Sequence, residues 1–372
     1  MSTPYISTAT VGNAHKSDIL DVEVTSRFTV TVSSDGFLKL WSNESSERSL
    51  HKEVLVDKVG LHHVSVLEDI IDMKRVMIFA LVSFSGTLSL WKYDFDAEEL
   101  IDLNFDYKTT GLSAKSLFWF PKFAIGSGEI KFICTTVSGR TAVFDVTVEE
   151  GNPTLDYKGE LYSNDNSFAT CVSIDIDNNR IVVGHQNGNF YLYDIKQLLL
   201  SYNFESFGIK NSKSLNIVRS VAFSPNGELL AIANDSGPYG TISLYDVKYG
   251  EYLGAFVIST HSSNVGVGNF AHSKWCMSIA FNKDGKKLVS CGLDNLIKIW
   301  DVESRSCLNT LKLNATDLED EDVLKLDDMD ISACTSVTFV EQGIFKEDGQ
   351  NDGLVVVGFD RSIRWFREAG GL

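Results

Sequence analysis

The stretch "AHSKWCMSIAFNKDGKKLVSCGLDNLIKIWDVESRSCLNTL" (271–311) recurs, diluted, along the whole 372-residue chain. It reads as four short strands, "WCMSIAF", "KKLVSCG", "LIKIWDV" and "SCLNTL", separated by turn-rich breaks such as "NKDG" and "LDN". Weaker copies lie at 18–42, 78–93, 131–146, 169–195 and 218–247, and a last one ends at "SIRWF". The aromatic closing each third strand falls at Trp41, Trp91, Phe144, Tyr193, Tyr245, Trp300 and Phe366. Six copies place a turn residue six positions earlier: Asp35, Ser85, Ser138, Asn187, Asp294 and Asp360. A four-stranded unit cannot bury its own faces, so repeated units must stack around an axis. Seven units predict one all-β, seven-bladed propeller over residues 1–372.

The seventh unit has three strands and no sequence left for a fourth. The N-terminal "PYISTA" (4–9) precedes the first strand of the first unit and has no place in it. It is expected as the outer strand of the last blade, which would tie the chain ends together and remove an open edge.

Composition narrows the function. The net charge is −17, and such a surface repels phosphate backbones and anionic headgroups, so neither nucleic acid nor membrane is expected as a direct partner. Much of the excess sits in "DLEDEDVLKLDDMD" (317–330), read as a solvated acidic loop. The N-terminus has no basic and apolar leader. The six cysteines form no CxxC pair and several sit in apolar strand-like runs, as expected of a reduced intracellular protein.

Two units carry His, Ser or Thr, and Asp together: His272, Ser290 and Asp294 with Trp300, and His15, Thr31 and Asp35 with Trp41. The set invites a nucleophilic-triad reading, but no nucleophile-presenting turn accompanies it. "GVGNFA" (266–271) fits a dinucleotide pattern, yet a strand follows it where a helix is needed. His62 and His63 could pair on a metal, but adjacent strand residues point to opposite faces and no further ligand is at suitable spacing. No enzyme activity, cofactor or metal is expected.

In a propeller the start of each innermost strand faces one end of the central channel. Alignment on "WCMSIAF" puts Asp18, His62, Ser113, Phe168, Ile217, Trp275 and Ala333 at one level. Two residues on are Leu20, Val64, Lys115, Thr170, Arg219, Met277 and Thr335. Asp18, His62, Lys115, Phe168, Arg219, Trp275 and Met277 are the expected partner-binding set, because aromatic, Met and Arg side chains dominate hot spots.

The unit at 271–311 resembles a WD40 repeat. In that family the equivalents of His272, Ser290, Asp294 and Trp300, and of His15, Thr31, Asp35 and Trp41, form a structural network in which the indole bonds the hydroxyl, the hydroxyl the imidazole, and the imidazole the aspartate. Further stretches are similar to the WD-repeat subunit of the fungal superkiller (Ski) complex: "GLHHVSVLEDI" (60–70), "SFSG" (83–86), "VAFSPNGELLAIANDS" (221–236), "THSSNVGVGNFAHSKW" (260–275) and "DRSIRWFREAGG" (360–371). That resemblance implies a cytoplasmic scaffold, with a nuclear location beside it, joining a TPR-repeat protein and a DExH RNA helicase for exosome-dependent 3′-to-5′ mRNA decay. It also implies two copies per assembly and a topoisomerase-like meiotic partner. The family's partners present a Gln-Arg motif with a hydrophobic residue, which would set the arginine on Asp18 and the apolar end on Trp275. The alternative is a WD40 adaptor of another machine, such as a ubiquitin ligase or a chromatin complex.

Overall fold

The computed structural model describes residues 4–44, 47–110, 112, 116–126, 128–163, 166–204, 216–258, 270–314, 332–340 and 353–369. Lys115, the acidic stretch 317–330 and most of the glycine-containing run 266–271 lie outside them.

The chain forms seven four-stranded antiparallel sheets, the blades of a propeller. In blade one the strands run Ile19–Val24, Phe28–Ser33, Phe37–Ser42 and Leu50–Leu55 from the channel outward. The second strand is buried at every position, because its sheet is covered on both faces. Seven apolar clusters fill the seven blade junctions. One joins Phe28, Val30 and Leu40 of blade one to Met77, Phe79 and Tyr93 of blade two, and another joins Ile363 and Trp365 of blade seven to Ile19, Val22 and Trp41 of blade one.

The last blade holds Cys334–Val340, Gly353–Gly358 and Ile363–Glu368, with the N-terminal strand Tyr5–Val11 as its outer strand. That strand runs two residues further than the sequence suggested, pairing Val11 with Ile363 across a bulge at Ser7/Ala9. Tyr5 is buried in the junction of blades six and seven. Inside the ring, Cys334–Val340 packs on Ile19–Val24. The Thr335 hydroxyl donates to Ile19 O at 2.6 Å and Ser336 Oγ to Asp21 Oδ1 at 2.9 Å.

Each innermost strand leaves one edge facing the channel, and side chains of neighbouring blades satisfy part of it. Asp21 Oδ2 accepts from Val64 N at 3.1 Å, Ser65 Oγ from Phe123 N at 3.0 Å, and Ser220 Oγ from Ile279 N at 3.2 Å. Blade is thereby bonded to blade through the channel wall.

Candidate functional site

All seven innermost strands bulge immediately after their first residue, at Ile19/Asp21, Leu61/His63, Phe118/Pro121, Ala169/Cys171, Val218/Ser220, Cys276/Ser278 and Cys334/Ser336. A bulge inserts an unpaired residue and re-aims its side chain. The repeated insertion builds a ring at the end of the channel where these strands begin, here called the top: Leu20, His62, Trp119, Thr170, Arg219, Met277 and Thr335. One residue before each strand lies an outer ring of Asp18, Gly60, Leu117, Phe168, Ile217, Trp275 and Ala333. The expected alignment therefore holds in five blades and slips in two. His62 lies level with Met277 rather than Trp275, and in blade three Leu117 and Trp119 hold the levels that the alignment gave to Ser113 and Lys115. Gly60 has φ +105°, and a Cβ there would fall 2.7 Å from Ser34 O, so the slot above His62 has no side chain.

The ring residues differ in what they can offer. Thr170 and Thr335 are staples: Thr170 Oγ1 donates to Val218 O at 2.6 Å, as Thr335 does to Ile19 O. The Arg219 guanidinium grips the buried Asp235 carboxylate through Nε at 3.1 Å and Nη2 at 2.8 Å. Its Cζ lies 4.4 Å from the centre of the Trp275 ring. Trp275 also donates Nε1 to Gly237 O at 3.0 Å. Arg219 thus holds Trp275 at the rim and has its charge balanced from below. Met277 is half-buried beside them.

Asp18 is a different case. It is half-buried, and desolvation raises its pKa although the Arg361 charge pulls the other way. No other described residue hydrogen-bonds to its carboxylate or ion-pairs with it. Between Asp18 and Trp275, blade seven contributes only Ala333 to the outer ring. The arrangement can receive a cation at Asp18 and an apolar group toward Trp275.

Across the channel the rim is aromatic. His62 stacks on Trp119 with ring centres 4.2 Å apart, Phe84 lies 5.0 Å from His62, and Phe168 5.0 Å from Trp119. His62 is buried; desolvation, with a contribution from His63, pushes its pKa down to about 2 even though Nε2 bonds Ser83 O at 3.1 Å. It is therefore an uncharged ring within an apolar stack. Around the stack Val59, Phe84, Leu117 and Val137 are 41–60% exposed, a contiguous apolar crescent of the kind that marks a protein interface. Phe84, Leu117 and Trp119 were not among the residues expected from sequence. Among the described residues, no group of three or more His, Cys, Asp or Glu is placed to hold a metal ion.

The two His/hydroxyl/Asp sets lie inside the blades. Trp300 Nε1 donates to Ser290 Oγ at 2.8 Å, Ser290 Oγ lies 2.7 Å from His272 Nε2, and His272 Nδ1 lies 2.9 Å from Asp294 Oδ1. In blade one the same chain runs Trp41 to Thr31 at 2.9 Å, Thr31 to His15 at 2.8 Å, and His15 to Asp35 at 3.1 Å. Burial lowers the pKa of His15 against the pull of Asp35. Burial would raise Asp35, but bonds from His15 and from the backbone N–H groups of Phe37 and Lys16 bring it down to about 2. Ser290 and Thr31 are wholly buried, so no substrate can reach either hydroxyl, and each already accepts an indole N–H. Blade seven replaces the network with a buried Asp360–Arg364 pair at 2.7 Å.

Comparison with known proteins fits this architecture. The family model described as WD domain, G-beta repeat, matches residues 262–301. Antiviral protein SKI8 of Saccharomyces cerevisiae is 37% identical over 401 aligned residues, covering all of both chains. The chain belongs to the SKI8 family of WD-repeat proteins. The chain is also similar to the meiotic recombination protein rec14 of Schizosaccharomyces pombe, 28% identical over 256 residues, covering 68% of this chain and 74% of the relative. Similarity to the small ribosomal subunit protein RACK1 of Schizosaccharomyces pombe, 27% identical, covers only 36% of this chain and 38% of that protein.

Proposed function

We propose that this SKI8-family propeller is a non-catalytic scaffold of a superkiller-type complex, joining a TPR-repeat protein and a DExH RNA helicase for cytoplasmic, exosome-dependent 3′-to-5′ mRNA decay. The observation that carries the reading is Asp18, a half-buried carboxylate that no other described residue bonds, on an apolar rim. A partner arginine would bond that carboxylate through charge-assisted hydrogen bonds, and its apolar neighbours would cover Trp275 and the crescent. Full-length similarity to an antiviral SKI8 protein supports the assignment of the complex. Similarity to a meiotic recombination protein supports a second use of the same face, by a topoisomerase-like partner in the nucleus. The −17 charge suits a subunit that need not touch RNA.

The test is a pull-down from cell extract with the full chain as bait, wild type beside Asp18→Lys and Trp275→Ala, with thermal melting as a control for folding. Recovery of a TPR protein and a DExH helicase by wild type, and their loss from folded variants, is the expected result. Equal recovery by the variants would move the interface off this face. Recovery of neither partner by wild type would remove the complex assignment.

A further inference from the structure

The outer strand of blade four, Leu199–Phe204, "LLSYNF", pairs on one side with Phe190–Asp194 and, among the described residues, with nothing on the other. A sheet edge presents N–H and C=O groups that template a further strand, and folds guard such edges with charge, proline or short length. Five of the six other outer strands carry such a guard, Cys307–Lys312 through its Lys312. Leu50–Leu55 contains Lys52 and Glu53, and Asn152–Tyr162 contains Pro153, Asp156 and Lys158. Glu99–Asp102 and Tyr252–Ala255 are four residues long. Tyr5–Val11 is uncharged but fills its middle with Ser and Thr. Leu199–Phe204 runs six residues with no charge and no proline.

The flanking surface is apolar as well. Leu199, Leu200 and Tyr202, with Tyr249 and Tyr252 of blade five, are 40–62% exposed. Tyr202 reaches across the blade junction, its hydroxyl donating to Lys248 O at 3.4 Å and its ring lying 3.5 Å from where a Gly250 Cβ would be. Beneath, Tyr202 and Phe204 lie 6.0 Å apart, and Phe204 and Tyr245 5.5 Å. The patch therefore rests on a packed aromatic base.

We propose that this edge is a second docking site, occupied by an extended segment of a partner protein that adds to blade four as a fifth strand. The free backbone groups select an extended chain, and the exposed Leu and Tyr side chains select apolar residues at alternate positions. The −17 charge of the chain favours a basic segment over an acidic one and opposes a second copy of this chain. The proposal is independent of the top-face reading.

The test uses the full chain and two fluorescein-labelled peptides, KVKYKVK and KVKPKVK, at physiological salt. They differ at the central residue, where proline removes an amide N–H and disfavours strand addition without changing the charge. Anisotropy is expected to show KVKYKVK binding about tenfold or more tighter than KVKPKVK, with hydrogen-exchange protection gained at amides of 199–204. Tyr202→Lys should abolish the difference at unchanged melting temperature. Leu199→Lys, at a more exposed position, repeats the test should Tyr202→Lys disturb the fold. Equal binding of the two peptides, or a preference that survives both substitutions, would overturn the proposal. So would a dimer of the chain alone in sedimentation that Tyr202→Lys converts to monomer, since a second copy would then cover the edge.

Discussion

Ser290 is the hub of the buried network in blade six, and Ser290→Ala should expose what that network contributes. The hydroxyl serves two partners, Trp300 Nε1 at 2.8 Å and His272 Nε2 at 2.7 Å, and Ser290, His272 and Trp300 are all wholly buried. Removing it leaves two polar groups without water or a replacement. Each orphaned group costs about 1–3 kcal/mol, so the variant should lose about 2–6 kcal/mol. For a chain of 372 residues the unfolding entropy is about 0.8 kcal/mol/K, which puts the fall in melting temperature at about 3–8 °C. The sharper assay is a cycle with Trp300→Phe, which removes the indole donor itself. In that background Ser290→Ala orphans only His272 Nε2, and its cost should drop by about 1–3 kcal/mol in urea denaturation. A wild-type melting temperature for Ser290→Ala would refute the reasoning. Strict additivity of the two substitutions would refute it equally, because it would mean that the indole and the hydroxyl are not coupled.

Ring closure should be sensitive to Thr335→Val, which keeps the shape but removes the bonds to Ile19 O and Val357 O; a loss of about 1–2 kcal/mol in urea denaturation is expected. Deleting residues 1–11 should do more, since it bares the edge of Ile363–Glu368 and removes buried Tyr5, and size-exclusion chromatography should show aggregation. Stability should also fall with acid. The folded pKa of His62, about 2, lies below its unfolded value of 6.5, so the unfolded chain binds more protons at mild acidity. That contribution is fully present above pH 6.5 and is lost as pH falls below it, approaching about 1.4 kcal/mol per pH unit. His15, depressed by burial, acts in the same direction, and His62→Gln should flatten the urea midpoint between pH 7 and pH 5. A fluorophosphonate probe should leave Ser290 unlabelled in the folded chain and, by mass spectrometry, give no adduct there.

The propeller was legible because its signals are local. A strand-ending aromatic and a turn residue six positions before it recur at fixed spacing inside each hairpin, and hairpin register is set by neighbours in sequence. The missing fourth strand of the last unit was legible by subtraction, since an edge has to be covered by something. The rim levels were placed correctly in five blades, where the strand start can be matched unambiguously to that of "WCMSIAF", as at "VRSVAF". In blade two the outer-ring position is Gly60, which has no side chain to align, so His62 was taken one level too far out. In blade three the strand starts at Phe118, and "LFWF" offers four candidates for two levels. Only the start of the strand at Phe118, with a bulge that spans Trp119 and Phe120, puts Leu117 and Trp119 at the two levels. Bulges have no strong sequence signature, because they are fixed by which backbone groups stay unpaired rather than by residue type. The guarded or unguarded state of an outer edge is likewise invisible until the strand is known to be outermost. The uncharged run "LLSYNF" would have passed for a core strand in any other position. Ser290 shows the same dependence from the chemical side. Its distances to His272 and through it to Asp294 would suit a nucleophile, and what removes it from chemistry is the indole above it and the absence of any exposed surface.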